Sequence, residues 1–182
     1  MEKIGSMHKF FFVMSILMVI SLIIAFMWDS LPVVKDSVHS VLNPTLGKLL
    51  DWNLTWGMFI IVFLIAVITT MIQKYTTDQE TLRQLKKEQK EMQEEMKKFK
   101  DNPTKVMEMQ KAALPASMKI MELSMRSAFY TIIPFILLFR WFMDYFTDAG
   151  NPHFFGFFSW FWFYLIFVII FSSILRKVFN VA

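Results

Sequence analysis

Apolar residues in this chain gather into a few long runs, separated by stretches in which apolar and polar positions alternate at helical spacing. Three charge-free windows, residues 10–28, 54–72 and 154–175, can each cross about 30 Å of hydrocarbon as a helix rising about 1.5 Å per residue. A fourth, 127–143, is broken only by Arg140. The pattern predicts four transmembrane helices. The first window follows Lys3 and Lys9, as a secretory signal would. It is longer than a signal's apolar core, and Phe26, Met27 and Trp28 offer no small-residue cleavage site, so it reads as a retained helix.

Between the first two windows, Val34, Val38, Val41, Leu42, Leu46, Leu49 and Leu50 recur at helical spacing among Asp36, Ser37, Lys48 and Asp51. This predicts an amphipathic helix lying on the outer surface and bent at Asn43-Pro44, where proline lacks the donor a helix interior needs. A collapsed loop is the alternative. After the second window, Leu82, Leu85, Gln89, Met92, Met96 and Phe99 fit the a and d positions of a heptad repeat. The turn signal Asp101-Asn102-Pro103 follows, and Val106, Met109, Ala113, Ala116, Ile120 and Leu123 restart the same pattern. Two arms of similar length predict an antiparallel coiled-coil hairpin about 35 Å long. Few and small seam residues, with Pro115 in the second arm, predict a weak and mobile pairing.

The distribution of charge orients these elements. Basic residues resist translocation, and sixteen fall in residues 74–126, the N-terminal segment (Lys3, Lys9) and the C-terminal segment (Arg176, Lys177), against Lys35 and Lys48 on the opposite side. Both termini and the hairpin are therefore expected in the cytoplasm. The six tryptophans, at 28, 52, 56, 141, 160 and 162, all fall towards the outer helix ends, where an amphipathic ring prefers the interface. The net charge of +4 is the same inside-positive bias and no footprint for sequence-specific nucleic acid. The absence of cysteine excludes disulfides and thiolate metal sites. Neither cofactor nor metal is expected.

Two groups of residues are candidates for chemistry. Polar side chains are costly in hydrocarbon, and here they collect at inner helix ends: Thr69, Thr70, Gln73 and Lys74; Ser124, Ser127 and Thr131 beside Arg126; Ser172, Ser173 and Arg176. Thr70 to Lys74, Ser127 to Thr131 and Ser172 to Arg176 are each i to i+4, so each set shares a helix face. Convergence of these faces would form a hydrophilic groove open to the cytoplasm, lined by Thr70, Gln73, Lys74, Ser127, Thr131, Ser172 and Arg176. The alternative is that the cations snorkel while the hydroxyls bond their own helices. In the hairpin, seven of the fifteen methionines cluster, and Met107, Met118, Met121 and Met125 lie off the heptad seam. A flexible, polarizable Met surface can repack around apolar helices of differing sequence, which makes these four candidate substrate contacts. Arg140 and Asp144, one turn apart near the outer end, are expected to pair, and Pro134 to kink its helix.

The order of outer amphipathic helix, transmembrane helix, hairpin and two further helices with a basic end resembles the three-helix core of the YidC/Oxa/Alb insertase superfamily, most closely its archaeal YidC-like members. The similar stretches are Met71-Ile72-Gln73-Lys74-Tyr75, residues 123–141 (LSMRSAFYTIIPFILLFRW) and residues 160–177, which end in Ser-Ile-Leu-Arg-Lys. The resemblance spans about residues 33 to 177. It implies an all-α integral membrane protein with an insertase-like core at 54–74, 127–146 and 154–177. The outer amphipathic helix (31–53) and the cytoplasmic hairpin (75–126) join this core, and an N-terminal transmembrane helix (1–30) is extra to it. It further implies a plasma-membrane insertase or chaperone whose partners are nascent membrane proteins, the lipid bilayer and, as a further candidate, the ribosome. Segments would be caught on the hairpin and passed through a polar groove without nucleotide hydrolysis. Bacterial relatives carry an arginine inside the first core helix. Here that helix has only Gln73 and Lys74 at its inner end, so a single-arginine groove does not carry over.

An enzyme is not expected: His8, His39 and His153 lie on different segments, with no carboxylate pair, nucleophile motif or glycine loop for phosphate. The rival readings are a coiled-coil scaffold or sensor anchored in the membrane and, behind it, a channel or transporter. A transporter would be expected to show internal repeats and discontinuous helices, and neither is evident. A pure anchor has no need of polar inner faces.

Overall fold

The structure, a computed structural model, describes the backbone of residues 2–181 and the side chains of residues 12–181. The described residues are helical apart from short connections and contain no strand beyond one isolated bridge. The helices are α1 (Glu2–Phe26), α2 (Pro32–Leu42), α3 (Lys48–Trp52), α4 (Leu54–Thr76), α5 (Gln79–Lys98), α6 (Pro103–Asp148) and α7 (Trp160–Val178). Among the described residues, α4, α6 and α7 are long and apolar enough to cross a membrane. The expected fourth span corresponds to α1, whose described apolar portion is Phe12–Phe26; Lys3, Lys9 and Phe10 lie outside the described side chains.

The chain enters each long helix through local chemistry that satisfies the first free N–H groups. Asn53 accepts from the Trp56 amide at 3.0 Å to start α4. Asp78 accepts from the Thr81 amide at 3.1 Å and the Thr81 hydroxyl at 2.7 Å to start α5. Asn102 accepts from the Lys105 amide at 3.2 Å, with Pro103 at the first position of α6. Lys105 lies 3.6 Å above the Phe99 ring across the turn between α5 and α6.

On α5, Leu82, Leu85, Gln89, Met92, Met96 and Phe99 are sheltered from solvent while the positions between them are exposed. The stripe faces α6, as the Gln89 amide bonding the Ser117 hydroxyl at 3.1 Å and the Thr77 hydroxyl bonding the Leu123 carbonyl at 3.2 Å require. The second arm and the next apolar run, read from the sequence as separate elements, form one 46-residue helix containing Pro115 and Pro134. Both prolines are exposed, so the carbonyls they leave without an i+4 donor belong to turns at the surface of the helix.

The predicted bend at Asn43-Pro44 takes the form of a π turn, Asn43–Gly47, joining α2 to α3. Residues 39, 43, 47 and 51 recur every four positions, a spacing that drifts around an ordinary helix of 3.6 residues per turn. The wider turn absorbs part of that drift and keeps the stripe on α6. His39 lies 3.0 Å from Asp144, Asn43 accepts from the Trp141 indole at 2.7 Å, and Asp51 accepts from the Tyr145 hydroxyl at 2.6 Å. The apolar side of the same run, Val38, Leu42, Leu46 and Leu49, packs on a core formed by Leu50, Met58, Ile61, Val62, Trp141, Phe142, Phe146, Phe154, Phe163 and Tyr164. Rings dominate this core: Phe146 stacks on Trp160 with centroids 5.6 Å apart, and Phe139 meets Tyr164 edge-on at 5.0 Å. α4 and α7 pack side by side through Phe59, whose ring meets Phe167 and Phe171 at 5.1 and 4.9 Å.

Two outcomes follow from these contacts. A Cβ on Gly57 would stand 2.2 Å from the Leu49 carbonyl oxygen, a backbone atom that cannot step aside, whereas one on Gly47 would meet nothing nearer than 3.7 Å. Gly57→Ala is expected to lose roughly 1–3 kcal/mol despite alanine's better helix propensity, and Gly47→Ala to be neutral or stabilising. Thermal unfolding in detergent distinguishes the two. The bonds from the Thr81 hydroxyl and amide hold the Asp78 carboxyl below its ordinary value of 3.8. A lowered folded value means that its contribution is present above that range and lost as pH falls through the folded value. Protection of the Thr81 amide, taken against its intrinsic exchange rate at each pH, should therefore fall on acidification below about pH 4, and Asp78→Asn, which keeps an acceptor but cannot titrate, should remove that dependence.

Candidate functional site

On α4, Gly57, Met58, Ile61, Val62, Ala66 and Thr70 are buried, and Phe59 and Phe63 meet the rings of α7. The neighbouring stripe turns towards α6 and is left open. From residue 124 to residue 140, α6 has no fully buried side chain, although Leu123 below and Trp141 above are enclosed. The result is a groove between the two helices. Its outer part, about 510 Å³, is walled by Ser37, Val38, Val41, Leu42 and Leu46, by Ile61, Leu64, Ile65 and Ile68, and by Pro134, Leu137 and Leu138. Its inner part, about 280 Å³, is walled by Ile65, Ile68, Thr69, Ile72, Tyr130, Thr131, Pro134, Phe135 and Leu138. Ile65, Ile68, Pro134 and Leu138 belong to both, so the groove is continuous along α4 and α6.

The walls are almost wholly apolar. Thr69 and Thr131 donate to the Ile65 and Ser127 carbonyls of their own helices at 2.8 and 3.2 Å, which satisfies hydroxyls that would otherwise need water. Pro134, in the middle of the groove, withholds the donor that the Tyr130 carbonyl would receive in an unbroken helix.

Of the seven residues expected to line a polar recess, Thr131 lines this groove and the other six lie outside both parts of it. Thr70 is buried, with its hydroxyl 2.6 Å from the Ala66 carbonyl. Ser127 is half-buried and donates to the Ser124 carbonyl at 3.4 Å; Ser172 is half-buried on α7. Gln73 is half-buried, and its carbonyl accepts from the Gln79 side chain at 2.9 Å, which closes the end of α4. Lys74 reaches the Phe179 ring at 5.8 Å, and Arg176 is exposed in the last turn of α7. The groove walls that sequence reasoning missed, Ile65, Ile68, Tyr130, Pro134 and Leu138, carry no signal of their own. An apolar residue facing a groove is spelled like one facing lipid or core.

Along the hairpin part of α6, Met107 and Met121 are exposed, while Met118 and Met125 are partly covered. With exposed Leu114 they form a second apolar stripe, off the seam with α5.

The outer end closes differently from the expected Arg140–Asp144 pair. Asp144 instead accepts from the Trp28 indole at 2.7 Å, lies 3.0 Å from His39 Nε2 and stands 3.4 Å from Lys35. Arg140 is turned to Asp29 at 3.9 Å and to the Trp28 ring at 5.7 Å. An i to i+4 pair on one helix lost to partners that arrive from the turn after α1 and from α2, because Trp28 is fully buried and its N–H has to find an acceptor.

A family model described as integral membrane protein EMC3/TMCO1-like matches residues 40–155, more than half of the 182-residue chain. The match runs from α2 through α6; α1 and α7 lie outside it. No curated protein and no solved structure matches the chain.

If the groove is open space beside a packed core, filling it should cost little. Ile68→Trp, on the groove wall, is expected to unfold within a few degrees of the parent protein, whereas Val62→Trp, in the core, should lose roughly 1–3 kcal/mol. Equal destabilisation by the two in thermal unfolding would mean that the groove is not open.

Proposed function

This chain belongs to the EMC3/TMCO1-like family of integral membrane proteins, within the Oxa1/YidC/Alb3 insertase superfamily, and from that premise we infer that it inserts hydrophobic segments of nascent proteins into the bilayer. The observation that carries this reading is the continuous apolar groove between α4 and α6, with the hairpin's exposed methionine stripe on the same helix below it. The route begins on Met107, Met118, Met121 and Met125 of a cytoplasmic coiled-coil hairpin. It passes the helix ends that carry Gln73, Lys74, Ser127, Ser172 and Arg176 and ends in the groove, where Thr131 lines the wall and Thr70 stays enclosed in α4.

An apolar groove accepts an apolar segment at little desolvation cost, and its opening to the side lets the segment leave into lipid. No chemical step or cofactor is involved, so the process draws only on the transfer free energy of the client, about 25 cal/mol per Å² of apolar surface removed from water. The inside-positive bias supports an orientation with the hairpin and both termini in the cytoplasm. The length of α1 supports an additional span beside the core, and the order of elements supports an archaeal YidC-like plasma-membrane member.

The chain has no native cysteine, so single substitutions report cleanly. Cysteines at Ser37 and Asn151 should react with an impermeant thiol reagent from outside, and one at Gln93 should not. With photoreactive groups at Met121 and Leu137, a ribosome-bound client should crosslink first to Met121 and, as its apolar segment emerges, to Leu137; Ile68→Trp should keep the first crosslink and lose the second together with insertion. Crosslinking at Met121 that never proceeds to Leu137, with insertion unaffected by Ile68→Trp, would replace this reading by that of an anchored scaffold.

A further inference from the structure

Four cations converge where α4 and α7 end side by side. α7 closes with Asn180 in the left-handed region at φ 56°, the Phe179 amide bonding the Leu175 carbonyl at 2.8 Å and the Val181 amide bonding the Arg176 carbonyl at 2.9 Å. This Schellman closure turns the Asn180 carbonyl outwards, where the Arg83 guanidinium of α5 donates to it. The same turn places the Phe179 ring under the Lys74 ammonium of α4. Arg176 and Lys177 occupy the last turn of α7 itself. The consecutive helices α4 and α5 and the distant α7 thus bring Lys74, Arg83, Arg176 and Lys177 around one turn.

No carboxylate among the described residues lies within 4.0 Å of any of the four. Asp78 is committed to Thr81, and Glu80, one turn before Arg83, makes no ion pair with it. The C-terminal ends of α4 and α7 offer roughly half a negative charge each, about one against four. Among the described residues, the four cations thus exceed the helix-end charge that faces them, which favours an anion at this place.

We propose that Lys74, Arg83, Arg176 and Lys177 form a binding site for the phosphate of an anionic phospholipid headgroup. The surroundings select a lipid over a soluble phosphate. Lys74, Arg176 and Lys177 lie in the final turns of two helices long and apolar enough to cross a membrane, with Arg83 reaching them from the start of α5, and beside them Tyr75, Ile174 and Val178 are 78%, 54% and 69% exposed. Phosphate on the cations and acyl chains along the exposed apolar side chains satisfy both surfaces at once, and aromatic Tyr75 suits the interface between them. None of the four cations lines the groove, and lipid retention is read without a client, so the test of this site is independent of the insertase reading.

The test uses the full chain in neutral detergent, titrated with phosphatidylglycerol or phosphatidylcholine and read by native mass spectrometry. The parent protein should retain phosphatidylglycerol in preference to phosphatidylcholine. Arg176→Gln with Lys177→Gln, and separately Arg83→Gln, should weaken that retention about fivefold per cation removed, at about 1 kcal/mol per basic residue near the surface. Lys97→Gln with Lys98→Gln at the hairpin tip, which removes equal charge, should leave it unchanged. Because Arg83 also closes α7, the Arg176/Lys177 variant, whose side chains hold no neighbouring element, separates loss of binding from loss of fold. Equal retention of both lipids by the parent protein, or equal loss with the tip variant, would overturn the proposal. Glycerol phosphate competing as well as phosphatidylglycerol, or an RNA hairpin displacing it in the parent protein, would overturn the lipid assignment.

Discussion

The structure depends on where its rings are packed. Trp141, Phe142 and Phe146 are fully buried in one turn and a half of α6, and they bind that helix to α4 and α7 at the outer end, where Trp160, Phe154 and Phe163 complete the stack. Aromatic side chains bury more surface than any others and gain further from edge and offset contacts, so a cluster of this size holds three helices without the rest of their length having to touch. The second fastening is at the hairpin base, where Leu82, Leu123 and Thr77 are enclosed. Between the two, residues 124–140 of α6 have no fully buried side chain, although Phe135, Leu138 and Phe139 pack against the edge of the core.

That distribution of packing is what makes a groove possible. Two helices joined at both ends and separated in the middle leave a slot whose walls are apolar by default, since nothing polar is stable there without a partner. Thr69, Thr70 and Thr131 conform to this rule by bonding the carbonyls of their own helices. The polar character sits at the ends instead. An acid, a histidine and two further cations close the outer end around Trp28 and Asp144, and cations surround the inner one. A hydrophobic segment inside such a slot meets chemistry like its own, and its charged flanks meet charge only at the two surfaces.

Because α6 runs unbroken from residue 103 to residue 148, the exposed methionines of the hairpin and the wall of the groove belong to one helix. Pro115 and Pro134 are the places where it can bend at least cost, each lacking one backbone bond. Pro134 stands in the groove wall, so a change of angle there changes the width of the slot. The docked run from α2 to α3 braces the outer wall through Asn43, His39 and Asp51.

What could be read from the sequence were the properties that depend on neighbours along the chain. The apolar windows, the turn at Asp101-Asn102-Pro103, the sheltered stripe from Leu82 to Phe99 and the irregularity at Asn43-Pro44 follow from periodicity and from what proline and short polar side chains do locally. Three things needed the tertiary structure. Asp144 could not be assigned its partners, because Trp28, Lys35 and His39 come from elsewhere and outcompete Arg140. The continuity of α6 through residues 124–126 was hidden because a charged arm and an apolar span differ in composition but not in backbone. The groove was hidden most deeply, since Ile65, Ile68 and Leu138 are apolar whether they face lipid, core or an open slot. Which of these surrounds them is decided by how far apart two helices are held, a distance set by rings at Trp141, Phe142 and Phe146 that lie outside the groove itself.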